Sequence, residues 1–201
     1  MLRRNVLIAG SAATLLPTVA KAAPWQPNLT EFDMVMGDPT APVPIVEYAS
    51  FTCPHCAAFH NDVMPDVKAN LIDTGQANLV FRDFPLDGVA LRAGMLARCL
   101  PTEAYFPFID ILFKQQPQWL RASDPVAELR KFGRLSGLTE EQMDACLVDE
   151  ELANKIIALR TEGEQVYQVD STPSFVINDT LRRGSISYDA LTRFVDEAAS
   201  A

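Results

Sequence analysis

The chain has 201 residues, carries a formal net charge of −9 and is 48% hydrophobic. That length supports one domain with a full core rather than two, and the apolar fraction excludes a chain disordered throughout. The first 22 residues hold Arg3, Arg4 and Lys21 and no acid, so the remainder carries −12, which argues against nucleic-acid binding and fits an acidic, soluble monomer.

Met1-Leu2-Arg3-Arg4 supplies a basic start, Val6 to Leu16 is largely apolar, Pro17 breaks the helix, and Ala20-Lys21-Ala22 offers an Ala-x-Ala site. This pattern predicts a signal peptide over residues 1–22, cleaved after Ala22; a membrane span would need about 20 apolar residues. The paired arginines only weakly resemble a twin-arginine signal and leave the export route open. The expected location is the periplasm, where disulfides persist. Residues 23–201 then form a single domain.

Along that domain, Phe32 to Met36 alternates as a short edge strand would, and Gly37-Asp38-Pro39 turns the chain. Val43 to Ala49 reads as a buried strand whose start is restricted by Pro42 and Pro44. After Phe51-Thr52-Cys53-Pro54-His55-Cys56, apolar residues recur at helical spacing from Ala57 to Leu71. Pro65 cannot donate to the carbonyl of Asn61, so a kink is expected near Asn61 to Met64. Gly75 ends that helix, and Ala77 to Phe84 reads as the next strand. Strand, helix, strand predicts parallel pairing with a right-handed crossover.

From Gly88 to Gln168 the period is helical. One helix covers Val89 to Leu100 and another lies within Glu103 to Lys114. A third is capped by Asp124 with Pro125 at its first position, turns Val126, Leu129 and Phe132 inward, and stops by Gly137. Thr139-x-x-Gln142 is a capping box for a fourth. Glu150 to Tyr167 is a longer amphipathic helix presenting Leu152, Ile156, Leu159 and Val166. Ser174 to Ile177 and Thr180 to Arg183 read as strands joined at Asn178-Asp179, and Ser187 caps a last helix with Leu191, Phe194, Val195 and Ala198 in one stripe. The fold class is α/β: βαβ, a helical block at about 88–168, then ββα. Tyr105, Phe106, Phe108 and Phe113 are read as core of that block; Trp25 and Trp119 take no assigned role.

Two thiols three positions apart at a helix start can form a reversible disulfide, and the unpaired N–H groups there favour a negative sulfur. Cys53, at the N-cap, is read as the exposed attacking thiol, and Cys56, one turn on, as the buried resolving one. His55 adds a donor, and a positive charge when protonated, near the Cys53 sulfur. A stabilised thiolate makes the disulfide more oxidising, by about 30 mV per tenfold change in equilibrium. Half a zinc site is the competing reading. It needs two more ligands from His55, His60, Cys99 and Cys146; His60 alone has sensible spacing, and is otherwise read as a helix-surface residue. The exported βαβ setting favours redox chemistry, with no metal and no cofactor beyond the disulfide itself.

Glu47 is the one charge in its strand, six residues before Cys53 and on one face with Ile45 and Ala49. It reads either as a buried carboxylate beneath the disulfide, raised in pKa and relaying the proton of Cys56, or as an edge-exposed acid. Cys99 and Cys146 lie on different predicted helices. In an oxidising compartment they would bond and close a loop of about 48 residues, worth about 4 kcal/mol; otherwise they are two buried thiols.

Glu47-Tyr48-Ala49-Ser50-Phe51-Thr52-Cys53-Pro54-His55-Cys56 resembles the active-site segment of the thioredoxin-fold disulfide oxidoreductases of the DsbA type. Pro-His between the cysteines is typical of that oxidase, where thioredoxin-type reductases usually carry Gly-Pro. Ser171-Thr172-Pro173-Ser174-Phe175 is similar to the family's cis-proline loop, and the helical block falls where the family inserts a helical domain. The resemblance implies a thioredoxin fold interrupted by an all-helical insertion, with Cys53 as nucleophile and Cys56 as its partner. Pro54, His55 and Glu47 would tune the redox poise. Pro173 would be cis beside the disulfide, although local sequence by itself favours a trans proline opening an edge strand. Thr172 would pair its backbone with an extended substrate, and Cys99 with Cys146 would form the second, noncatalytic bridge of a subgroup. The implied function is a periplasmic oxidase of reduced or unfolded exported proteins, reoxidised by a quinone-linked membrane protein of the DsbB type. An isomerase or reductase of the same fold competes with it, as does a non-enzymatic metal-binding or chaperone protein.

Overall fold

A computed structural model of the protein describes residues 25–201, so the signal-peptide reading and its cleavage site lie outside the described residues. The apolar runs form one sheet of five strands, β1 (Met34–Met36), β2 (Val43–Ala49), β3 (Ala77–Asp83), β4 (Ser174–Ile177) and β5 (Thr180–Arg183), in the order β1-β3-β2-β4-β5. β2 and β3 are buried along their whole length and pair in parallel, from Val43 opposite Ala77 to Ala49 opposite Asp83. The other three pairings are antiparallel. Asn178 and Asp179, at φ 48° and 57°, supply the two positive φ values that a two-residue hairpin turn needs.

The helix after β2 runs on without interruption: α1 (Pro54–Ala58), a π-turn (Phe59–Val63), α2 (Met64–Val67) and a second π-turn (Lys68–Ile72). The first π-turn falls where Pro65 has no N–H for the Asn61 carbonyl, so the helix is widened there. The helical block contains α3 (Gly88–Arg98), α4 (Thr102–Lys114), α5 (Gln116–Leu120), α6 (Pro125–Leu135), α7 (Glu140–Leu147) and α8 (Glu150–Val166); α9 (Tyr188–Ser200) closes the chain. Side chains of Asp87, Asp124, Thr139, Asp149 and Ser187 cap α3, α6, α7, α8 and α9. α5 has no counterpart in the sequence periodicity, because its five residues are too few to carry a period.

One sheet face, with Val43, Ile45, Leu79, Phe175 and Ile177, packs against Phe59, Met64, Val67 and Leu71 of the first helix and Leu191 and Val195 of α9. The opposite face presents Val46, Tyr48, Val80 and Val176, and α8 packs over β3. A third apolar cluster joins Phe51, Cys53 and Cys56 to Tyr105, Phe108, Phe113, Trp119, Leu129 and Met143 of the block. The block's aromatics therefore pack against the motif as well as against one another; Phe106 is only partly buried. Cys99, at the end of α3, is bonded to Cys146 of α7.

Val166, expected on the apolar face of α8, is 57% exposed. That face runs instead through Ile156, Leu159 and Gly163, because the glycine brings the helix against the Tyr48 ring. Two buried arginines are paired between these layers. Arg82 Nε lies 2.7 Å from Asp33 Oδ1, and Arg82 Nη1 lies 2.9 Å from Glu162 Oε2 and 3.0 Å from the Tyr48 hydroxyl, which itself donates to Glu162. Arg98 Nε meets Asp83 Oδ2 at 2.7 Å. A Cβ at position 163 would stand 2.6 Å from Tyr48 Cε1. Gly163→Ala should therefore displace the ring and disturb its hydrogen bonds, costing about 1–3 kcal/mol as read by urea unfolding.

Candidate active site

β2 ends at Ala49, and the next residues turn so that Cys53 becomes the N-cap of α1. The Cys53 N–H donates to the Ser50 carbonyl at 3.1 Å, and the Ala57 N–H to the Cys53 carbonyl at 3.2 Å. Pro54 sits in the first turn, where its missing N–H costs little. Cys53 and Cys56 are both free thiols. The expectation of an exposed Cys53 is corrected: the residue is 5% exposed, against 0% for Cys56, because the block and the loop before β4 close over it. Pro54 and His55 are exposed.

Three polar clamps hold the turn. The Ser50 hydroxyl accepts from the Thr52 and Leu86 N–H groups, each at 3.4 Å. The Thr52 hydroxyl donates to Asp87 Oδ2 at 2.8 Å, on the residue that caps α3. The buried Gln116 amide donates to the Phe51 carbonyl at 2.8 Å and to the Cys53 carbonyl at 2.9 Å. Sequence reasoning missed Gln116, since one glutamine between two helical patterns carries no signal of its own.

Across from the turn, the Thr172–Pro173 peptide bond is cis, and both residues are buried. The Cys53 thiol donates to the Thr172 carbonyl at 3.2 Å. Ser174 Oγ donates to the Ser171 carbonyl, and the Gly184 N–H to the Pro173 carbonyl, both at 2.8 Å.

The two thiols are driven apart in acidity. Hydrogen bonding from Cys56 is the main cause that brings Cys53 down to about 5; burial opposes it, and Thr172 and the backbone N–H groups of Cys56 and His55 assist. Cys56 is pushed up by burial first, then by its hydrogen bond to Cys53 and by the charges of Cys53 and Glu47. His55 contributes through its backbone N–H at a helix start.

Glu47 is 0% exposed. β2 lies between β3 and β4, so it is not an edge acid. His60 Nε2 lies 3.1 Å from both of its carboxylate oxygens. His60 is accordingly not on the helix surface: its side chain is 1% exposed and its ring stacks on Phe113 with centroids 4.3 Å apart. A signal for this was present, because His60 follows Cys56 by four residues and so shares its inward face. Among the described residues, no three His, Cys, Asp or Glu side chains are grouped to hold a metal.

A family model described as Thioredoxin matches residues 29–197. A Rickettsia bellii protein described as a candidate protein-disulfide oxidoreductase is 31% identical over 92% of this chain and 75% of its own length. A Rickettsia felis relative of the same description is 33% identical over 83% of this chain, which spans 60% of that relative. Among solved structures, alpha-DsbA1 of Wolbachia pipientis superposes with a TM-score of 0.79 at 31% identity, covering 86% of this chain and 93% of that one. BdbD of Bacillus subtilis, at 20% identity, shares the fold with a TM-score of 0.76 over 90% of this chain and 99% of its own.

Two measurements test this geometry. Gln116→Leu strips the Phe51 carbonyl of its side-chain donor and should destabilise the fold by about 1–3 kcal/mol in urea. In the reduced protein, absorbance at 240 nm should report a thiolate with a midpoint near pH 5, absent in Cys53→Ala. Because the folded pKa of Cys53 is depressed from 9.0 to about 5, this thiol stabilises the reduced fold fully above pH 9. The contribution is lost as pH falls through about 5.

Proposed function

Because the chain belongs to the DsbA-type family of thioredoxin-fold protein-disulfide oxidoreductases, we propose that it oxidises the thiols of exported proteins in the periplasm. The observation that carries this reading is the N-cap position of Cys53, with its acidity raised by Cys56 and its sulfur against the Thr172 carbonyl. At pH 7 a thiol with a pKa of about 5 is ionised by about a hundredfold over its neutral form. That preference favours the reduced pair and makes the disulfide more oxidising by about 60 mV than an unperturbed pair.

The reaction starts from the Cys53–Cys56 disulfide. A substrate thiolate attacks Cys53 Sγ; the substrate–Cys53 bond forms, the Cys53–Cys56 bond breaks, and Cys56 departs as a thiolate that takes up a proton. A second substrate thiolate then attacks the substrate sulfur of the mixed disulfide. The substrate leaves oxidised by two electrons, and Cys53 leaves as a thiolate that its surroundings stabilise. A leaving group of low pKa departs faster, which suits Cys53 rather than Cys56 to the contact with substrate. The Thr172 backbone lies beside that sulfur and offers strand-like pairing to an extended segment. Pro54 and His55 form the exposed rim, and Glu47 gives and receives the proton of Cys56.

By resemblance, a quinone-linked membrane protein of the DsbB type reoxidises the pair, and the protein works as a monomer. No helix among the described residues is long and apolar enough to cross a membrane. The test uses a peptide with two thiols and the oxidised protein. Wild type should convert the peptide stoichiometrically to its disulfide, and Cys53→Ala should lose this by more than about a thousandfold. Undiminished oxidation by Cys53→Ala would overturn the assignment.

A further inference from the structure

The Glu47–His60 pair continues outward. His60 Nδ1 is buried without a hydrogen-bond partner among the described residues. It stands 4.0 Å from Asp110 Oδ1, whose side chain is 56% exposed. Both residues line an open cavity of about 480 Å³ together with Met64, Lys68 and Lys114, and none of the motif residues 53–56 borders it. A buried polar atom left unpaired costs stability, so its retention next to an open cavity and a carboxylate calls for a reason.

We propose that His60 and Asp110 are the route by which a proton passes between Glu47 and bulk water during each disulfide exchange. This deepens the reading in which Glu47 serves Cys56, and rests on it.

The steps balance over one cycle without a ring flip. In the oxidised protein His60 is neutral, with its Nε2–H donating to the Glu47 carboxylate and its Nδ1 bare. When substrate releases Cys56 as a thiolate, a proton enters at Nδ1 from Asp110 or cavity water, the Nε2 proton moves to Glu47, and Glu47 passes its proton to Cys56. His60 is left protonated at Nδ1 and facing Asp110. On reoxidation Cys56 must become a thiolate to attack the mixed disulfide at Cys53. Its proton goes to Glu47, then to the bare Nε2, while the Nδ1 proton leaves for Asp110. The ring returns to its first tautomer.

The surroundings suit this role. The charged and titratable groups facing His60 are Glu47 from β2 and Asp110 from α4, with Lys68 and Lys114 on the cavity wall; Cys56 lies one turn earlier on its own helix. The buried Tyr105 phenol of α4 also senses Glu47. Burial raises the Asp110 carboxyl above the ordinary carboxylate value, with His60 and Lys68 opposing; a proton carrier works best when its pKa approaches the working pH. Glu47 itself sits at zero exposure under the first helix, and His60 stands between it and the cavity.

The test separates the two thiol steps. Reduced protein is mixed with oxidised glutathione from pH 5 to 8, and quenched samples are analysed for the Cys53–glutathione adduct and for the internal disulfide. His60→Gln retains a donor for Glu47 but cannot pass a proton. It should leave adduct formation and the 240 nm midpoint near 5 unchanged, while slowing resolution of the adduct by Cys56 about tenfold. Asp110→Asn, an exposed substitution that leaves the core intact, should slow resolution by about threefold in dilute buffer and recover in concentrated buffer. Resolution at the wild-type rate in both variants overturns the route, as does equal slowing of both steps in His60→Gln. If wild type itself forms no adduct, the oxidoreductase reading falls instead.

Discussion

A carboxylate with no access to water, set in the middle of a sheet, must find a partner or go uncharged. Glu47 is in that position, and the first helix answers it with His60. Meeting this requirement sets the rotation of the helix about its axis. Cys56 and His60 are four residues apart on one face, so turning His60 onto Glu47 also turns Cys56 into the core. Pro54 and His55 are then left facing solvent. The contrast between the two cysteines, one poised at the helix start and one sealed beneath it, follows from that single orientation.

The helical block is part of the same construction. Phe113 stacks on Phe51 with centroids 5.3 Å apart and on His60 at 4.3 Å. Gln116 ties down two carbonyls of the turn, and Asp87 joins the Thr52 hydroxyl to the start of α3. On the far face of the sheet, Arg82 gathers Asp33, Tyr48 and Glu162 and so locks the strand that carries Glu47. The motif therefore rests on rigid elements on both sides, which is what a reactive group held in a fixed geometry needs. The Thr172 loop completes it from a distant part of the chain, reaching Cys53 across 119 positions.

These arrangements have a consequence for acidity. The Cys53 sulfur receives hydrogen bonds from the Cys56 thiol and the N–H groups at the helix start, whereas Cys56 meets burial and two negative neighbours. Two chemically identical side chains one turn apart thereby take opposite roles. Neither role is intrinsic to the spacing of the cysteines.

Local physics was legible in the sequence. The period of apolar residues, the capping side chains of Asp124, Thr139 and Ser187, and the Asn178-Asp179 turn each act over a few positions, so they place their elements without reference to the rest of the chain. The α/β order and the parallel pairing of β2 with β3 follow from those elements and from chain handedness. What the tertiary structure decided are the matters that depend on which surfaces meet. The depth of Cys53, the inward turn of His60, the outward turn of Val166 and the clamp by Gln116 all arise from contacts between segments far apart in sequence. Burial and hydrogen-bond partnership belong to the assembled layers, and a residue's own neighbours along the chain do not specify them.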